Sequence, residues 1–68
     1  MKIKMFGIDQ GTGEETLEWD GEFADFVANS ELGETELEEC RAMLSGPEAR
    51  CYIGGGAAAL FLLMRVSR

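Results

Sequence analysis

The sequence predicts an α+β domain: a small antiparallel β-sheet of three or four strands with two short helices packed on one face, in the order β(β)ααββ. Three observations predict it. Charged and apolar residues alternate from Lys2 to Met5, the period of a half-buried strand. Two later stretches, around Phe23 and Leu37, space their apolar residues at helical intervals. A glycine triplet, Gly54 to Gly56, then separates two strand-like segments in the manner of a hairpin.

The first strand runs from Lys2 to Ile8, and Asp9-Gln10-Gly11-Thr12-Gly13 is a turn by its glycines. Thr16-Leu17-Glu18-Trp19 returns as a second strand, with Leu17 and Trp19 together on the side opposite Thr16 and Glu18. Asp20 is placed to cap a helix over residues 21–29, because its carboxylate can accept the free amide hydrogens of the first turn. Phe23, Phe26, Val27 and Ser30 share one side of that helix; Glu22, Asp25 and Asn29 share the other. The second helix spans residues 34–44, with Leu37, Cys40 and Leu44 as its apolar stripe. Glu34 and Glu36 stand in its first turn and Arg41 toward its end, each where the helix dipole favours its charge. Ser45-Gly46-Pro47 stops it: Gly46 suits a left-handed cap and proline cannot continue a helix.

Ala49, Cys51 and Ile53 alternate with Glu48, Arg50 and Tyr52 in a third strand, and residues 57–66 form the last. That strand is apolar on both faces, with Leu60, Leu62, Met64 and Val66 on one and Phe61 and Leu63 on the other. Two short helices cover one face of such a sheet. Either the amino-terminal strands or a second copy must cover the other, and Phe61 and Leu63 are the residues expected at a homodimer contact.

A chain of 68 residues is one domain, 1–68, with a modest core. Its hydrophobic share of 46% is too high for a disordered acidic tail, despite the net charge of −7. The apolar run from Ala57 to Met64 is far short of the about 20 residues of a membrane span, and no basic-then-apolar leader opens the sequence. No membrane partner is therefore expected, and the cytosol is the expected compartment. Cys40 and Cys51 read as reduced core residues, with a bridge between them as the lesser alternative. Without histidine a zinc site has little to work with, and the calcium-loop pattern is missing, so neither metal nor cofactor is expected.

Two glycine-rich stretches invite a phosphate-binding reading. Ile8-Asp9-Gln10-Gly11-Thr12-Gly13 resembles the first phosphate-binding turn of the actin-like sugar kinases, an Asp-x-Gly-Thr between two strands. That family needs two large domains, and Glu14 and Glu15 would repel a nucleotide, so the stretch is expected to be a hairpin turn. Gly54-Gly55-Gly56 leads into Ala-Ala-Ala-Leu without the lysine of a phosphate loop, and a turn is expected there too. Ser30, Ser45, Ser67 and both cysteines lack a histidine base, and paired carboxylates need a walled cleft to act as acid and base. An enzyme is not expected.

What stands out instead is charge. Of the 13 acidic residues all but Glu48 lie between Met5 and Cys40, a window without a single cation. The 6 cations stand outside it, at Lys2, Lys4, Arg41, Arg50, Arg65 and Arg68. Such a field attracts a partner of opposite sign and speeds their encounter. A solvated face that maintains solubility is the plainer account. The sharper one is phosphate mimicry, since Glu residues four apart on a helix stand about 6 Å apart along its axis, a repeat comparable to the regular charge of a nucleic-acid strand. Glu34 with Glu38, Glu22 with Asp25, and Glu31, Glu36 and Glu39 would then occupy a basic groove.

The short Phe-rich helix, the Glu-rich second helix and the ending Ile53-Gly-Gly-Gly-Ala-Ala-Ala-Leu-Phe61 are similar to very small acidic bacteriophage proteins, among which the anti-CRISPR and other DNA-mimic inhibitors form a class. The resemblance spans residues 21–66, rests on size, charge and element order, and carries over no functional residue. It implies stoichiometric inhibition of a CRISPR effector in the host bacterial cytosol. The inhibitor would occupy a Lys/Arg-rich surface that otherwise binds DNA or guide RNA, without binding nucleic acid itself. The alternative is a structural or assembly protein that dimerises through an apolar sheet face, its charge serving solubility.

Overall fold

In a computed structural model, which describes residues 1–67, β1 (Lys2–Ile8) and β2 (Glu15–Glu22) form the first hairpin. Helices α1 (Phe23–Asn29) and α2 (Glu34–Ser45) follow, then the hairpin of β3 (Arg50–Gly54) and β4 (Leu60–Ser67). All pairings are antiparallel, and the 4-stranded sheet has the order β2-β1-β4-β3. This is the α+β fold and element order that the sequence predicts. Arg68 lies outside the described residues.

The helices cover one face of the sheet, α1 over β2 and α2 over β3 and β4. Between the layers sit Ile3, Phe23, Cys40, Leu44, Cys51 and Leu63, joined by Met5, Trp19, Phe26, Val27, Ile53 and Phe61 at the margin. Leu63 is 0% exposed. The expected self-association residues, Phe61 and Leu63, thus belong to the face that the helices occupy, and Leu63 is unavailable to another molecule. The alternation of β4 was read correctly, but the helices took the face that the sequence assigned to self-association.

The amino-terminal strands extend the same sheet rather than folding across it. Its second face therefore carries Phe6, Ile8, Leu17, Tyr52, Leu60, Leu62, Met64 and Val66, none of which joins the helix-side cluster.

Several local expectations are corrected. Met5 pairs with Trp19 but Phe6 with Leu17, so Glu18 is an extra residue, a β-bulge. Leu17 and Trp19 consequently point to opposite faces, although strict alternation would put them together. Asp20 does not cap α1. It stays in β2 opposite Lys4, because Gly21, at φ +155°, lets the strand continue beside Ile3 under the Trp19 ring. Glu22 holds the cap position without a side-chain bond, and the Phe23 amide donates instead to the Met1 carbonyl at 2.9 Å.

Gly46 ends α2 at φ −77°, not in the left-handed region; the left-handed residue is Ala49, at φ 55°. The reversal is delayed past Pro47, and Ala49 then accepts the Arg65 amide at 2.9 Å, which aligns β3 with β4. The Ala-rich stretch 57–59 belongs to the turn, not to the strand, which opens at Leu60. Gly54 faces Leu60 at φ +85°, where a Cβ would run into the Ala59 carbonyl oxygen. No helix among the described residues is long and apolar enough to cross a membrane.

Candidate partner-binding surface

All 13 acidic side chains are exposed. They cluster by element, apart from Glu48 in the turn after α2. Asp9 and Glu14 flank the first hairpin turn; Glu15, Glu18, Asp20 and Glu22 line β2, an edge strand; Asp25 lies on α1 and Glu31 in the loop beyond it; Glu34, Glu36, Glu38 and Glu39 lie on α2. Among the described residues the only ion pair is Glu22 Oε2 with the amino-terminal ammonium of Met1, at 3.1 Å. Of the seven expected site residues, Glu22 is thus the one already engaged. Asp25, Glu31, Glu34, Glu36, Glu38 and Glu39 have no cation within 4.0 Å among the described residues.

The helix geometry divides the α2 carboxylates. Cys40 and Leu44 turn inward, and at 100° per residue Glu34 and Glu38 fall on one flank and Glu36 and Glu39 on the other. Glu34 and Glu38 border a groove between the helices with Val27, Leu37 and Arg41. The guanidinium of Arg41 stacks on the Phe23 ring, 5.7 Å from its centroid, and so serves the helix–helix contact rather than neutralising a carboxylate. Glu34 and Glu38, paired in the sequence reading, share one flank, while Glu31 lies in the loop before α2.

One feature escaped the sequence reading. The bulge at Glu18 turns Trp19 onto the helix side, where its ring meets Phe26 at 6.1 Å, and Phe26 meets Phe23 at 6.0 Å. Met5, Trp19, Phe26 and Phe61 thereby floor a hollow of about 440 Å³ whose rim carries Glu18 and Asp25. The signal for it was the Glu18-Trp19 pair, legible only once the register slip is known.

The glycine turns behave structurally. Asp9 Oδ1 accepts the amides of Gly11 (2.8 Å) and Thr12 (3.1 Å), and these bonds hold its carboxyl below the usual carboxylate range. The Gln10 amide donates to the carbonyls of Ala58 (2.9 Å) and Gly56 (3.3 Å), tying the two hairpin turns together.

Cys40 and Cys51 are free, buried and adjacent. Burial, then the neighbouring Cys51 thiol, pushes Cys40 up to about 12, far from the lowered value of a reactive cysteine.

Fold and site together define a small α+β scaffold that presents exposed carboxylates around an aromatic hollow. No protein-family model, curated protein or solved structure matches the chain.

Proposed function

We propose that the chain is a binding protein of the inhibitor type, which covers a basic nucleic-acid-binding surface with its helix side. One observation carries this reading: the acidic side chains of that side are exposed and, Glu22 apart, free of ion pairs among the described residues. Pairing them with a partner's Lys and Arg replaces no internal contact. A folded scaffold also limits the ordering cost of binding. The hollow beside Glu18 and Asp25 adds what a charged rim lacks, an aromatic pocket able to seat a partner's arginine or apolar anchor. The class of target is the one the sequence resemblance implies, a CRISPR effector subunit in the bacterial cytosol.

The test is titration of Lys/Arg-rich effector subunits at low and high salt, with duplex DNA as competitor. Trp19, the single tryptophan, reports contact at the hollow by its fluorescence. The expected result is salt-sensitive binding competed by DNA, weakened at least about tenfold by the triple change Glu34→Gln, Glu38→Gln and Glu39→Gln. Binding that ignores both salt and the triple change would overturn the proposal.

A further inference from the structure

No helix covers the sheet face away from α1 and α2, although Leu62 at its centre is only 2% exposed in the single chain. Three of its apolar residues are more exposed than core side chains normally are: Leu17 at 49%, Tyr52 at 56% and Val66 at 55%. Its rows follow from the strand register. Across the sheet, Leu17 neighbours Phe6, Phe6 neighbours Leu62 and Leu62 neighbours Tyr52; the next row runs Asp20, Lys4, Met64, Arg50. Ile8 with Leu60 closes the end nearest the turns.

This layout has a two-fold character. The order β2-β1-β4-β3 is symmetric about the line between β1 and β4. A two-fold axis along that line, parallel to the strands, lays β1 on the partner's β4 and β2 on the partner's β3. Row by row, Ile8 meets the partner's Leu60 and Leu17 meets the partner's Tyr52, while Phe6 lies over the already buried Leu62 of the partner subunit. Asp20 falls on the partner's Arg50, twice over by symmetry. The apolar rows meet each other, and in the charged row Asp20 meets the partner's Arg50 while Lys4 lies over the partner's Met64. The alternative axis, across the strands, stacks β2 on β2 and brings Glu15 toward the partner's Asp20 and Glu22, which like-charge repulsion disfavours.

Local charge permits this despite the net charge of −7. Register places Lys2, Lys4 and Arg50 on this face against Glu15, Asp20 and Glu22, whereas the helices carry the acidic excess on the far side. Lys2, Lys4, Asp20 and Val66 also border one shallow hollow.

We infer that two copies of this chain pack face to face through the open sheet face, in the aligned mode of a β-sandwich, about a two-fold axis parallel to β1 and β4. Four strands at about 4.8 Å spacing and about six residues at 3.4 Å give a footprint of about 400 Å² per copy, half the roughly 800 Å² per partner of a standard interface and in the class of weak, transient contacts.

Sedimentation equilibrium of the full chain across micromolar to millimolar concentrations tests it. The wild type is expected to dimerise, and Leu17→Glu or Tyr52→Glu, at positions exposed in the single chain, to give a folded monomer by circular dichroism. Arg50→Glu and Asp20→Arg should each weaken the dimer about tenfold or more, and the double change should recover most of the loss. A chain monomeric throughout, a dimer indifferent to both glutamates, or a charge swap without rescue would each overturn the proposal.

Discussion

Replacing Leu63 by alanine separates a core position from a docking position. Leu63 is fully buried and touches the cluster of Ile3, Phe23, Cys40, Leu44 and Cys51. Its strand is held on both sides, by β1 at Met5 and by β3 at Cys51, so the backbone cannot collapse into the space left behind. The loss therefore belongs in the middle of the range for buried leucine, about 3–4 kcal/mol. A domain of 68 residues has roughly 3–10 kcal/mol in total, so the variant loses about a third of its stability or more. Urea denaturation at matched concentration, followed by Trp19 fluorescence and circular dichroism, measures the change. Leu17→Ala, half exposed on the other face, is the control and should cost less than about 1 kcal/mol in the monomer. A Leu63→Ala chain that loses under 1 kcal/mol but falls apart from dimer to monomer would show that Leu63 is a contact residue and that the helices do not cover it.

Other outcomes follow from single positions. Gly54→Ala forces a Cβ against the Ala59 carbonyl at φ +85° and should cost about 2 kcal/mol or more, seen as a lowered Tm. Ala49→Gly relieves a left-handed alanine at φ 55° and should raise stability by about 0.5–1 kcal/mol; a lower Tm would contradict the strain. The Cys40 thiol is held neutral up to about 12, against an ordinary value of 9.0. The unfolded chain therefore releases a proton that the folded one keeps. Stability is complete below pH 9.0 and declines between there and about 12, and Cys40→Ala should flatten that decline in urea midpoints. A thiol reagent should label neither cysteine until the chain unfolds.

Periodicity carried the element order because each segment has one dominant spacing. Phe23, Phe26 and Val27 allow only a helix to bury them together, and Cys51 with Ile53 only a strand. What alternation cannot carry is an insertion. Glu18 has no signature that marks it as the extra residue of a bulge, yet it decides that Trp19 joins the core and Leu17 the open face. The Asp20 cap failed for a related reason: capping is a local interaction, and the pairing of β2 with β1 continues through Gly21 to Glu22. Phe61 and Leu63 were correctly placed on one face of β4, but the sequence contains nothing local that says which face two helices will choose. The carboxylates were legible as exposed, while their division into two flanks of α2 needed only the helical repeat.

The two proposed surfaces lie on opposite faces of the sheet, and their chemistry differs. Charge on the helix side is long-ranged, salt-sensitive and governs encounter; the open face is apolar, short-ranged and sensitive to shape. If both operate, a dimer carries an acidic surface on each outer side, facing away from the other. Two such surfaces cannot clamp one groove together, but they can bridge two basic targets or two copies of an oligomeric one. Affinity for an oligomeric target should then rise with chain concentration through the dimerisation range, an avidity effect that needs no new contact. Leu17→Glu should abolish that rise and leave the salt-dependent affinity for a single site intact. Were the single-site affinity to fall as well, the two surfaces would not be separate, and the open face itself would be touching the target.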